Sequence, residues 1–478
     1  MKRTISLLIL CSMLASLAAC GNTSGGSAPT DGTSAGSDDT TTSAPETTDP
    51  TLVPPEATDK YKGKTYRIFN GYSDQTKYVT NDIYPEEQDG DVLNDALYKR
   101  CADTEDRLGI TIEVTDGTLS DIKNNVAAAD DFADVTYADL SSIMGLVTEG
   151  YCYDFYDIPN IDLSKAWWDH NAEEKLSFDG QLYYTFNDHI FTQTENCRAV
   201  YFNKAIAEEI GVDPEGLYQT VRDGKWTMDR MFDYGKMAVM DLNGDTKIDK
   251  NDRVGVLNWG FVGLGEALLT GCDAEIIKKD ADGEPYFYCF TEQFETVYLK
   301  VLDFLTKDNV VYLGAGANEF MSDHALFMVN SLVDASNLRE MKGDFGIIPT
   351  PKYNEEQESY QNVSPNPHAM LVPTTVQDID FAGAAMEELA YQSHRTLLPA
   401  YYENVLKGKA TRDDESIEML DLIHNSVSYV IKIIGTKFSD ALYAEMQKKN
   451  YNLSSMLEKW RSQVETQLSD VLTQFADK

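Results

Sequence analysis

Basic residues are scarce in this 478-residue chain: 40 Lys and Arg stand against 79 Asp and Glu, a formal net charge of −39. Such a field repels phosphate backbones and anionic headgroups, so it excludes nucleic acid and an electrostatic grip on membranes. It favours solubility and suits a binder of neutral ligands, whereas a binder of anions would need local basic groups. Cysteine is sparse as well. Beyond Cys20 there are only Cys101, Cys152, Cys197, Cys272 and Cys289. Their spacings fit no zinc motif, their odd number leaves at least one thiol unpaired, and they read as small buried hydrophobes. The six His residues are scattered, and neither H-E-x-x-H nor G-x-x-x-x-G-K-[ST] occurs. After the first 19 residues no run is long and apolar enough to cross a membrane.

The apolar run that does exist lies at the start. Lys2 and Arg3 precede Ile5 to Ala19, which is too short to span a bilayer and reads as a signal peptide over residues 1–19. It ends in Leu-Ala-Ala-Cys, and this segment resembles the lipobox of bacterial lipoproteins. The resemblance implies that Cys20 becomes a lipid-carrying N-terminus. Residues 20–59 follow as a Ser/Thr/Gly-rich stretch without an aromatic residue. It cannot bury enough apolar surface to offset ordering entropy and is expected to be a disordered tether. As a flexible coil it would span roughly 35 Å.

The remaining length is too large for one core, so two lobes are expected. Lys64 to Tyr72 reads as a strand, Asp91 to Gly109 as a helix with a glycine stop, and Ile110 to Val114 and Phe132 to Asp139 as strands. Strand and helix in alternation indicate an α/β layer with parallel strands. Ligands sit beyond the carboxyl ends of such strands. That makes Tyr72, Asp74 and Asp139 candidate ligand contacts.

Aromatic residues supply further candidates, because a sugar presents C–H faces to flat rings and hydroxyls to fixed oxygen or nitrogen partners. Ala166 to Asp188 concentrates Trp167, Trp168, Phe178, Tyr183, Tyr184 and Phe186 among acids and amides. Neighbours in an extended segment face opposite ways, so one Trp and one Tyr of each pair are expected to leave the core. Trp168, Tyr184 and Asp188 are the chosen candidates. The apolar run Val254 to Gly263 reads as a strand that ends in Asn-Trp-Gly, which makes Trp259 the candidate platform of the second lobe; Tyr402 is a further wall. Trp226 instead precedes Thr227, a plausible N-cap, and is expected to pack as a staple.

Asp241 to Asp252 reads DLNGDTKIDKND. Asp241, Asn243, Asp245, Asp249 and Asp252 occupy positions 1, 3, 5, 9 and 12 of an EF-hand-like loop, with the Lys247 carbonyl at position 7. Ca²⁺ is the expected structural cofactor. Thr246 stands where the pattern wants glycine, which predicts weak affinity.

Taken in order, the lipobox, the tether, AWWD, YFNKAIAEEIG, VRDGKWTMDRM, DFGIIPTPKY, HAMLVP and ATRDDES resemble the extracellular solute-binding lipoproteins of bacterial ABC importers, in their carbohydrate-binding group. The resemblance implies an α/β, two-lobed periplasmic-binding-protein-like (type II) fold with hinge-crossing segments. One lobe would comprise residues 60–197 and about 372–398. The other would comprise 198–371 and about 399–478, with the loop 241–252 inside it. The crossings are expected near Cys197 to Phe202 and Met370 to Pro373. The implied function is a monomeric, membrane-anchored extracellular receptor, not an enzyme. It would capture a short oligosaccharide between the lobes for the permease subunits of an ABC importer. A secreted glycan hydrolase and a surface glycan-binding adhesin are the alternatives. A hydrolase would release reducing ends, and an adhesin would prefer insoluble polymer.

Overall fold

Apolar strand runs bounded by Gly, Asn or Asp build two separate sheets. The computed structural model describes residues 49–71, 83–401, 412–432 and 437–476. Cys20, Tyr72, Asp74 and Tyr402 lie outside the described residues. In chain order the strands are β1 (Thr65–Asn70), β2 (Thr111–Asp116), β3 (Val135–Asp139), β4 (Arg198–Asn203), β5 (Val254–Asn258), β6 (Lys278–Lys279) and β7 (Pro285–Tyr286). They continue with β8 (Val311–Leu313), β9 (Ala325–Ser331), β10 (Phe345–Ile348), β11 (Asn362–Ser364), β12 (His368–Leu371) and β13 (Val427–Tyr429).

The first lobe holds the sheet β12-β3-β1-β2, in which β1 runs parallel to β2 and β3 while β12 is antiparallel to β3. Helices between the parallel strands supply the crossovers that such pairing requires. The helix Val92–Leu108 starts where the Asp91 carboxylate accepts from the Leu93 and Asn94 amides, and stops at Gly109, whose φ of 65° is left-handed. It packs on the helix Ile379–Pro399, which returns to this lobe late in the chain. The second lobe holds β10-β4-β9-β5-β8. There β5 is parallel to β8 and β9, and β4 is antiparallel to its two neighbours. Val254, Val256 and Leu257 of β5 are all buried, as expected of a strand covered on both faces. Thr227 caps the helix Met228–Ala238, and Trp226 beside it is fully buried, donating to the Pro349 carbonyl.

The second sheet begins at Arg198, as the expected 197/198 boundary has it, and the return crossing falls earlier than expected. β4 lies wholly in the second sheet, so the chain passes over before Arg198. β12 pairs with β3, so His368 to Leu371 belong to the first lobe, and the return lies between β11 and His368. All five cysteines beyond Cys20 are buried free thiols. Among the described residues no helix is long and apolar enough to cross a membrane.

Strand-like alternation fails in the aromatic segment. Trp167 and Trp168 are both buried because the chain turns at Ala166–Trp167 instead of extending. Both indoles converge on one carboxylate: Trp167 Nε1 donates to Glu387 Oε1 and Trp168 Nε1 to Glu387 Oε2, each at 2.9 Å. Trp168 is therefore a core residue, not a cleft wall. Tyr183 and Tyr184 are also both buried, so Tyr184 is not a ligand platform. Phe186 stacks on Tyr429 at 4.6 Å, and Tyr429 donates its hydroxyl to Asp169. The aromatic cluster is thus the packing between the first lobe and β13. Lys175 pairs with Glu275 at 2.9 Å, and Ser428 donates to the same carboxylate, tying this region to the second lobe.

Burial pushes the Glu387 carboxyl up to about 7, despite the indole donors that oppose the shift. The native state then keeps a proton that the unfolded chain releases near pH 4.5, so stability contributed here falls as pH rises through that window. Urea titrations across it should show the wild type losing up to ~3 kcal/mol relative to Glu387→Gln. Parallel pH profiles for the two proteins would contradict this. A second expectation concerns Gly255, where an added Cβ would lie 2.6 Å from Gly235 Cα on the helix Met228–Ala238. Backbone against backbone cannot yield cheaply, so Gly255→Ala should cost about 1–3 kcal/mol in the same assay.

Candidate functional site

The two sheets present their carboxyl ends to a common boundary. β4 starts at Arg198, opposite Ser331 at the end of β9, so the chain enters the second sheet at its carboxyl end. β10 leaves from that same end, and β12 begins at His368 opposite Asp139, the last residue of β3. Each crossing therefore joins carboxyl end to carboxyl end, the place where α/β sheets bind ligands.

On the first lobe this rim is polar and preset. Asn70 ends β1, is buried, and donates from Nδ2 to Asp116 Oδ1 at 2.8 Å. The Gly71 amide donates to the Tyr137 carbonyl at 3.0 Å, and a Cβ at Gly71 would come within 2.6 Å of that oxygen. Asp139 lies at the rim, but its Oδ1 is 2.7 Å from His368 Nε2. His368 is fully buried, and burial holds the ring below its ordinary pKa despite the carboxylate. Tyr137 Oη and His189 Nδ1 sit 2.6 Å apart behind it. Asp188 is not a free acceptor: its carboxylate lies 2.7 Å from His394 Nδ1, and burial pushes its pKa up. The pair braces the inside of the lobe.

On the second lobe the decisive turn follows β5. Asn258 is buried, donates from Nδ2 to the Val329 carbonyl at 2.6 Å, and accepts from the Gly260 amide at 2.9 Å. Pinned in this way, the chain turns outward and leaves Trp259 62% exposed. The indole lies against Gly316, where a Cβ would be 2.6 Å from Trp259 Cε2. A glycine bed thus supports one side of the ring. Trp259 is followed directly by the helix Phe261–Gly271, whose N-cap Gly260 offers no side chain.

Arg198 stands next to this turn and was not among the expected residues. Its Nη1 donates to Ser331 Oγ at 2.6 Å and Asn330 Oδ1 at 3.3 Å. Glu266 on the same helix lies 3.6 Å from Lys432. The available signal was one cation in an otherwise apolar strand, Arg-Ala-Val-Tyr-Phe. Lys432 and Glu266 carried no signal, since they meet only across distant segments.

The acidic loop forms a separate feature. Oxygens of Asp241, Asp245 and Asp252 lie within 4.8 Å of one another. Asp241 accepts from the Gly244 and Thr246 amides, Asn243 from Asp245, and Asp245 from Lys247. Asp252 is buried and accepts from Leu242 and Asp249, while Asp249 accepts from Asn251. The Met240–Arg253 bridge closes the base. Thr246 adopts a φ of 68°, so the turn that normally calls for glycine forms with threonine in place.

A family model described as bacterial extracellular solute-binding protein matches residues 99–386. No curated protein matches the chain. Among solved structures, the cyclic alpha-maltosyl-1,6-maltose binding protein from Arthrobacter globiformis resembles 86% of this chain over 99% of its own, with a TM-score of 0.56 and 11% identity. A cyclo/maltodextrin-binding protein complexed with maltotetraose resembles 87% over 97% of its own chain, at 0.54 and 13%. The ABC substrate-binding protein Lmo0181 from Listeria monocytogenes, in complex with cycloalternan, resembles 87% over its full length, at 0.51 and 13%. These likenesses establish the two-lobed α/β fold of periplasmic sugar-binding proteins. With over half its length matched by that model, the chain belongs to the bacterial extracellular solute-binding protein family.

Proposed function

We propose that the protein is a lipid-anchored extracellular receptor that captures a short oligosaccharide between its lobes and delivers it to the permease of an ABC importer. The observation that carries this reading is Trp259. A large indole left 62% exposed at a strand's carboxyl end, with Gly316 against one side of its ring, is a flat surface available to a ligand. A sugar's C–H face would cover it. Similar structures bound to maltotetraose and cycloalternan support a carbohydrate ligand. Cys20 and the tether support the anchor, and the leader supports an extracytoplasmic location. The matched relatives are binding proteins, which supports capture without chemical change. Lobe closure on the ligand would then act as a population shift that a membrane partner reads.

Ca²⁺ in the loop 241–252 would serve as a staple of the second lobe. Its ligands would be Asp241, Asn243, Asp245, the Lys247 carbonyl, Asp249 and Asp252, hard oxygens suited to that ion.

A calorimetric screen of mono- and oligosaccharides should find a binder, and Trp259→Ala should weaken it more than about tenfold while the melting temperature stays put. Undiminished affinity would remove Trp259 from the site, and a screen without any binder would overturn the carbohydrate reading. Chelation should lower the melting temperature of the wild type but not of Asp241→Ala. Identical melting with and without Ca²⁺ would refute a metal-bound loop.

A further inference from the structure

Arg198 has more hydrogen-bonding capacity than its surroundings use. Only Nη1 is engaged, by Ser331 and Asn330. Nε is buried without a partner. Among the described residues no carboxylate comes within ion-pair distance of this guanidinium. Glu266 and Asp334 act on it only from farther away, and burial outweighs them, pushing the guanidinium below its ordinary pKa. A partly buried cation without a carboxylate partner is costly, and most proteins pair it. Here it stands at the carboxyl end of a sheet with only Nη1 engaged.

The opening has a defined neighbour. A methyl at Gly263 would lie 3.8 Å from Arg198 Nη2 and 3.5 Å from Asn258 Oδ1, so the guanidinium sits beside the first turn of the helix Phe261–Gly271. The leading amides of a helix have no acceptor within it, and Gly260 supplies no capping side chain. The dipole adds partial positive charge at that end. Lys432 is already paired with Glu266, at 3.6 Å. Basic groups are rare in this chain, with 40 against 79 acids, so a guanidinium with no carboxylate at ion-pair distance, beside the turn that carries the exposed Trp259, is conspicuous. A planar fork with free donors matches a planar, two-oxygen acceptor better than it matches a single hydroxyl.

We propose that the captured solute is an acidic oligosaccharide: a sugar ring rests on Trp259, and a uronic-acid carboxylate is received by Arg198 and the first-turn amides of the helix Phe261–Gly271. This rests on the carbohydrate reading and adds the charge class of the ligand. The excess of acid over the whole chain repels such a ligand at long range, so selection is made by contact.

The test uses the full chain and matched probes: oligogalacturonides, their methyl esters, neutral oligosaccharides and a sulfated disaccharide, each titrated by calorimetry at low and high salt. The acids should bind at least about tenfold tighter than their esters, with the difference shrinking at high salt. Arg198→Gln should abolish that difference while the ligand-free melting temperature holds or rises, because a partly buried cation without a carboxylate partner has been removed. Gly263→Ala, which adds a methyl at ordinary contact distance and keeps the fold, should weaken the acid more than the ester. Esters or neutral sugars binding as well as the acids would overturn the acidic ligand and leave the carbohydrate receptor standing. Sulfated sugar binding as tightly as the uronates would overturn carboxylate recognition in favour of a general anion site. Absence of binding by every sugar would overturn both.

Discussion

The chain crosses between its lobes at the carboxyl ends of both sheets, and the rest of the arrangement depends on this. β4 enters the second sheet at that end, β10 leaves from it, and β12 meets β3 at Asp139. Loops that follow parallel strands emerge at the same end, so rim residues from two lobes are brought to one boundary without any long connection. A hinge at that boundary would change the separation of the rims while leaving each sheet intact. Strands β3, β5, β9 and β10 are buried and resist deformation, so any such motion would fall on the few residues between the sheets.

The side chains near the boundary divide into two groups by what satisfies them. Asp139, Asp188, Asp169 and Glu387 are all acidic and all close to aromatic rings, yet each already has a partner in His368, His394, Tyr429 or the paired indoles. Buried polar groups satisfied in this way rigidify their surroundings and offer little to a ligand. Trp259 and Arg198 differ. One keeps most of its ring in solvent, and the other keeps donors unused. Unmet capacity, more than residue type, separates a recognition surface from a brace. The Ala166–Asp188 segment has the more suggestive composition, but it forms core packing at the junction with β13.

Much of the architecture was legible in the residues. Strand β1, the helix Val92–Leu108 with its Gly109 stop, and strands β2 and β3 follow from periodicity and punctuation, because those signals are local. The Thr227 cap and the buried Trp226 follow in the same way. The alternation argument fails for Trp168 and Tyr184 because it assumes an extended chain, and a turn at Ala166–Trp167 and a bend at Tyr183 break it. The return crossing was misplaced by a few residues because His368 to Leu371 reads as a strand without revealing which sheet it joins. Arg198, Glu266 and Lys432 were not recognisable as neighbours, since their proximity is long-range.

By itself the amino-acid order determined the charge balance, the succession of helices and strands, the outward turn at Asn-Trp-Gly and the oxygen spacing of the acidic loop. The charge balance is a sum over the chain, and the others are set by residues within a dozen positions of one another. Tertiary structure alone decided which aromatic rings stay in water and which carboxylates are already paired. Those outcomes depend on partners such as Glu387 and His394, some two hundred residues away in the chain, that meet these side chains only when the late helix Ile379–Pro399 packs back into the first lobe.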